Sequence, residues 1–184
     1  TLSLHDALPI FDCVNTERFN DSENSLPNTK DTQFLFASRA IKEKGIDVLL
    51  DAIPKVIEQN KNVHFNFISS EEPIFDNNKA NEVFGQYKDY ITVYDRILEM
   101  PKMYRKNHFI VSPSFYKEGI SNVLLESLSC ERPIITTNDN PGCMDVLQEG
   151  INGYGVKSKD VDSLVKALIK ESKIGRAVQQ ECRD

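Results

Sequence analysis

Two glutamates stand eight positions apart in the stretch KEGISNVLLES: Glu118 ahead of an apolar run, and Glu126 inside it. Ser121 precedes the run and reads as the N-cap of a helix, since its hydroxyl can accept from a first-turn amide. A helix start presents backbone N–H groups without intrahelical partners, and these favour an anion. Glu118 then sits in a loop beside that anion. Glu126 lies about 12 Å further on if every step is helical. Carboxylates so placed can accept from hydroxyls, one from a sugar and the other from a ribose diol. At helical spacing Glu126 neighbours Asn122, Ser129 and Cys130, a small polar stripe that leaves Val123, Leu124, Leu125 and Leu128 for burial. The same residues read equally as a solvated helix face and a loop carboxylate, and spacing alone leaves both readings open.

A second candidate is ASRAIKEKGID, residues 37–47, directly after an apolar run. Arg39 and Lys44 lie on what reads as a strand-to-helix loop. Arg offers a planar fork and Lys a point charge, a pair suited to clamping a pyrophosphate. With Lys42 and Glu43 beside them, they read just as well as solvated loop charges. A third is TTNDNPGCMDVLQEGINGY, residues 136–154, where Asp145 and Glu149 follow a polar turn; they read as substrate contacts or as helix surface. His64 alternates with Phe65 and Phe67 and reads as structural, and His108 has no evident base or metal partner in the sequence.

These residues need elements to hold them. QFLFA (33–37), VHFNFIS (63–69), YITVY (90–94), FIVSPS (109–114) and PIITT (133–137) read as short buried strands. Helical spacing appears in GIDVLLDAIPKVIEQN (45–60), with Pro54 predicting a kink or a late start. Weaker helical patterns cover NNKANEVFGQY and MPKMYRKN. SNVLLESLSC (121–130), CMDVLQEG ended by Gly150, and DVDSLVKALIKE with Asp160 as N-cap complete the set. NDSENSLPNTKD (20–31) reads as a linker or loop. Strands and helices alternate, so the expected fold is α/β: a Rossmann-like, doubly wound parallel sheet with helices on both faces. Such sheets bind ligands at the carboxyl ends of their strands.

The 184 residues suffice for one domain with a core. A net charge of −6 argues against a nucleic-acid partner. No apolar run is long enough to span a bilayer, and the first ten residues lack a basic start and an apolar core, so neither a transmembrane helix nor a secretory leader is expected in this stretch. Cys13, Cys130, Cys143 and Cys182 show no zinc or disulfide pattern, which points to a reducing cytoplasm. Both ends resemble translated frames of short sequencing adapters. Residues 1–10 and 174–184 are therefore set aside, with 11–32 read as an interdomain linker remnant and 33–173 as the working domain.

The order of these pieces is specific. FLFASRAIKEKGIDVLLDAI, followed by MPKMYRKNHFIVSPSFYKEGISNVLLESLSCERPIITTNDNPGCMDVLQEGINGY, closely resembles the C-terminal half of the retaining GT-B glycosyltransferases of family 4 (group 1) type. CVNTERF (13–19) resembles their interdomain VDTERF segment, and the likeness runs over roughly residues 11 to 170. The resemblance implies a nucleotide-sugar-binding domain. Arg39 and Lys44 match the cations that hold the donor's pyrophosphate and stabilise it as a leaving group. Glu118 matches the glutamate near the reacting carbon, and Glu126 the one that holds the ribose. The amides of Gly119, Ile120, Ser121, Asn122 and Val123 match those lining sugar and phosphate, and Arg96 and Ile97 fall where the family's loop flanks the base. It also implies a UDP-sugar donor, no required metal or other cofactor, and retention of anomeric configuration. The glycan or lipid-linked acceptor would be bound by an N-terminal domain not in this chain, so the chain by itself is not expected to turn over. Polysaccharide or glycolipid synthesis in the cytoplasm, at the inner membrane face and with peripheral membrane association, is the implied setting. Ser38, the SSEEP turn (69–73), Asp95 and Glu131 depart from the family's usual glycines. Two other readings stay open: a sugar-nucleotide epimerase of the same fold, and a non-catalytic nucleotide-sugar-binding module.

Overall fold

In this computed structural model the described residues are 13–20, 27–68, 78–94, 97, 99–116 and 119–181, with side chains described as far as Lys173. The expected alternation is present. Six strands, β1 (Thr32–Ala37), β2 (Val63–Ile68), β3 (Ile91–Tyr94), β4 (Phe109–Ser112), β5 (Ile134–Thr137) and β6 (Gly153–Val156), form one parallel sheet in the order β3-β2-β1-β4-β5-β6. The helices between and after them are α1 (Ile46–Gln59), α2 (Asn78–Gln86), α3 (Met100–Arg105), α4 (Asn122–Ser129), α5 (Pro141–Met144) and α6 (Val161–Glu181).

Because side chains alternate across a strand, each strand feeds two cores. Phe34 and Phe36 of β1, Phe65 and Phe67 of β2, and Phe109 and Val111 of β4 face one layer, filled by α1, α2 and α6. Leu35, Ala37, Ile68, Ile110 and Ile134 face the other, with Met103 and Tyr104 of α3, Leu124 of α4 and Cys143 of α5. The first face contains stacked pairs, Phe34 with Phe65 at 5.4 Å and with Phe109 at 5.7 Å between ring centroids. Burying such rings is worth roughly 1.5–3 kcal/mol each before conformational entropy is counted. On the second face Asn66 is buried and donates to Gln33 Oε1 (3.0 Å) and Asn107 Oδ1 (2.7 Å), which ties the C-terminus of α3 to the sheet.

Several expectations need correction. Helix α1 runs unbroken through Pro54, starts at Ile46, and buries Leu49, Ile53, Val56 and Ile57 on both sides of it. Proline removes one N–H, but that stripe against the sheet outweighs the lost bond. The helix expected over 143–150 is a single turn at Pro141–Met144, and Gly150 lies in the following turn at φ +74°. Strand β6 is absent from the sequence reading because the two glycines of Gly-Tyr-Gly-Val mask the strand preference of Tyr154 and Val156. It forms because its partner demands it: a Cβ on Gly153 would meet Ile134 O at 2.2 Å, so only glycine lets β6 approach β5. In α4 only Leu124 and Ser127 are fully buried, while Val123, Leu125 and Leu128 are half-buried. Asp160 caps α6 as expected, its Oδ1 accepting from Ser163 N at 2.9 Å. The backbone of α6 continues through 174–181. The segment before the domain packs on it: Phe19 is buried against Tyr104, and its carbonyl accepts from Ser129 Oγ at 2.5 Å.

Candidate functional site

Strand order reverses at β1, whose neighbours are β2 on one side and β4 on the other. Loops leaving the carboxyl ends of β1 and β4 lead from there to helices on opposite faces, the usual position of the ligand site on such sheets. The two loops at this point are the ones that carry the charged candidates. After β1, Arg39 precedes one 3-10 turn, Lys42–Lys44, which Gly45 ends in the left-handed conformation at φ +79°. After β4 the chain runs through Pro113–Tyr116 towards α4.

The two loops are bonded to each other. The carbonyl of Glu43 accepts from Phe115 N (2.9 Å) and from Ser114 Oγ (3.3 Å). Gly45 passes so close to β4 that a Cβ there would lie 2.2 Å from Pro113 O. Lys44 is buried, at 8% exposure, and its ammonium sits 5.3 Å from the centroid of the Tyr116 ring. From the other side, Thr137 Oγ1 donates to Ser114 O (2.6 Å), and the Asn140 amide donates to Ser114 O (3.2 Å) and Tyr116 O (3.0 Å).

Ser121 does occupy the N-cap of α4, but its side chain makes no capping bond; its carbonyl accepts from Leu124 N at 2.9 Å instead. Gly119 and Asn122 are exposed, and Ile120, Ser121 and Val123 are half-buried. The amides of Asn122 and Val123 precede the first intrahelical bond. Glu126 is half-buried, and its Oε2 accepts from Tyr104 Oη at 2.7 Å. Burial raises the Glu126 pKa above the usual carboxylate range, against the opposing effects of the Tyr104 hydrogen bond and of Arg18. Burial also raises the Tyr104 phenol, helped by the adjacent Glu126 charge. Tyr104 is fully buried and was invisible as a site residue in the sequence, since nothing local links it to a glutamate on another helix. Ile97 is half-buried and packs on the second core. Glu118 and Arg96 lie outside the described residues, as do the departures at 69–73 and Asp95.

Other candidates serve the frame. Glu149 Oε2 accepts from Gly155 N at 2.7 Å and so holds β6, whereas Asp145 is exposed. His64 Nε2 pairs with Thr92 Oγ1 at 2.8 Å, and His108 Nδ1 accepts from Gln33 N at 3.0 Å. Burial and the Arg132 charge push His108 down to about 4, so it is neutral at physiological pH. The sequence's one Asp-x-Asp triplet is committed elsewhere: Asp160 caps α6, and Asp162 pairs with Lys55 at 2.8 Å. Among the described residues no group of three or more His, Cys, Asp or Glu side chains is arranged to hold a metal ion.

The family model for glycosyl transferases group 1 matches residues 31–171. The chain belongs to that family. Among curated relatives, this group 1 glycosyltransferase chain is 27% identical over 164 residues to spore coat protein SA of Bacillus subtilis (strain 168), covering 80% of the chain and 43% of the relative. It is 24% identical over 135 residues to the capsular polysaccharide biosynthesis glycosyltransferase CapM of Staphylococcus aureus, covering 73% of the chain and 35% of the relative. The chain thus spans less than half the length of these relatives. Its fold matches that of Anabaena HepE, solved in complex with UDP and glucose, with a TM-score of 0.73 at 14% identity, over 94% of this chain and 52% of that one. The sheet is Rossmann-like and matches part of the GT-B fold of solved glycosyltransferases. No helix among the described residues is long and apolar enough to cross a membrane.

Proposed function

We propose that this chain is the donor-binding half of a retaining glycosyltransferase that takes its sugar from a UDP-sugar. The observation that carries the reading is the bonded pair of loops at the strand-order reversal, with Arg39 and Lys44 on one and the approach to α4 on the other. The relative CapM, named for capsular polysaccharide biosynthesis, and HepE, solved with UDP and glucose, support the substrate class.

In this reading the donor's diphosphate lies between the two cations and the free amides of Asn122 and Val123, and needs no metal to balance its charge. Glu126 accepts from the ribose hydroxyls through the oxygen not bonded to Tyr104. Gly119, Ile120 and Ser121 line the sugar, Glu118 orients it near the reacting carbon, and Arg96 and Ile97 flank the base. The bond from the sugar's anomeric carbon to the phosphate breaks, and its electron pair leaves on the diphosphate oxygen. The acceptor hydroxyl bonds to that carbon on the same face, and its proton passes to the departing phosphate. Arg39 and Lys44 stabilise the charge that develops on the leaving group. A further domain would supply the glycan or lipid-linked acceptor, at the cytoplasmic face of a membrane.

Calorimetric titration with UDP, GDP and ADP tests this. Wild type should select UDP, and Lys44→Ala and Glu126→Ala should each weaken binding at least about tenfold, the loss expected when a charged partner is removed. Folded variants that bind UDP as tightly as wild type would sink the site assignment.

A further inference from the structure

Asn140 is buried, at 6% exposure, in the turn between β5 and α5. Its amide donates both hydrogens to main-chain carbonyls two residues apart, Ser114 O at 3.2 Å and Tyr116 O at 3.0 Å. Its own Oδ1 is buried without a hydrogen-bond partner. An unsatisfied buried oxygen is destabilising. The amide is therefore poorly explained as a contribution to stability alone, and its two donors are what the site gains.

Those donors act on a short segment that Glu43 and Thr137 hold at Ser114 and Phe115 but not at Tyr116. Tyr116 is 40% exposed, so packing does not fix its ring. Tyr116 N donates only weakly, to Ser114 Oγ at 3.3 Å. On the far side the segment is bonded to Glu43, the residue next to Lys44, and Thr137 adds one bond at Ser114. Among the described contacts Asn140 is the one that reaches Tyr116 O, beyond which the chain runs on to Gly119 and the start of α4.

We propose that Asn140 is a positioning residue: by gripping Ser114 and Tyr116 it holds the Tyr116 ring against the ammonium of Lys44, the cation that meets the donor's diphosphate. This rests on the donor-site reading above. Asn140 touches no reacting atom and acts through Tyr116 and Lys44.

The experiment compares the full 184-residue chain with Asn140→Ala and Asn140→Ser, the latter retaining one short donor. Two readouts are taken on variants whose thermal melts show them folded. The first is the upfield ring-current shift of the Lys44 side-chain protons, by NMR without ligand. A purely structural role would leave it in place in folded protein; positioning predicts that it collapses in Asn140→Ala and partly recovers in Asn140→Ser. The second is UDP affinity, expected to fall about tenfold in Asn140→Ala, as Lys44, no longer held by Tyr116, loses a charged contact to the diphosphate. A retained Lys44 shift, or an unchanged UDP affinity where wild type binds, overturns the proposal. Should wild type bind no UDP, the donor reading fails, and the Lys44 shift decides alone whether Asn140 positions the pair.

Discussion

Replacing Gly45 by alanine tests the junction of the two loops. Gly45 does two things that alanine cannot. It holds φ at +79°, where an L side chain costs roughly 1–2 kcal/mol. It also lies against β4, where an added Cβ would meet Pro113 O at 2.2 Å, Pro113 C at 2.7 Å and Pro113 Cγ at 2.9 Å. Two of those atoms are backbone and cannot rotate away, so one loop must move, at the roughly 1–3 kcal/mol typical of overpacking. The total is about 2–5 kcal/mol. Two glycines separate the contributions. Gly150 has φ +74° with open space around it, so Gly150→Ala loses only about 1–2 kcal/mol. Gly85, in α2 with nothing within 4 Å of the added Cβ, gains up to about 1 kcal/mol as alanine. Urea unfolding measures all three. At a slope of about 2 kcal/mol per molar, Gly45→Ala lowers the midpoint by about 1–2.5 M. If Gly45→Ala shifts the midpoint no more than Gly150→Ala does, the close approach of the β1 and β4 loops is wrong.

Other outcomes follow from individual contacts. Tyr104→Phe removes the hydrogen bond to Glu126, should destabilise by about 1.5–3 kcal/mol, and raises the Glu126 pKa further; UDP binding, followed by titration across pH, should weaken on acidification at a higher pH than in wild type. Glu171 is buried with one oxygen unpartnered, and burial, aided by Glu149, pushes it up to about 7. A carboxyl raised in the folded state favours folding while protonated, so stability is full below its unfolded value of 4.5 and falls as pH rises through about 7. Chemical denaturation should show wild type losing on the order of 2 kcal/mol relative to Glu171→Gln across that window, a difference in which the shared titrations of His108 and Glu126 cancel. Glu131 holds φ +56° at the end of α4, a conformation in which glycine is unstrained. Glu131→Gly should therefore stabilise, by about 0.5–1 kcal/mol in the same assay, and a loss of stability would show that the Glu131 side chain contributes what its backbone gives up.

The local elements could be read from the residues because their determinants are local. Alternating phenylalanines in β1 and β2, the apolar stripe of α1 and the Asp160 cap each lie within a few positions, and the structure has all of them where the spacing put them. The family's Arg39 and Lys44 loop and the run into α4 were legible as motifs in the same way. What the residues could not show is which strands become neighbours. The pairing of β1 with β4 joins Phe34 to Phe109 across the chain, and only that pairing brings Glu43 to Phe115 and Lys44 to Tyr116. Tyr104 under Glu126, Asn140 on Tyr116 and the glycine-rich strand β6 were missed for the same reason. Each is fixed by a partner far away in sequence, or by the space a backbone neighbour leaves, and neither leaves a periodic trace in the residues themselves. Local spacing thus determined the elements and the chemistry they could carry, while the order of strands in the sheet decided which of those groups meet.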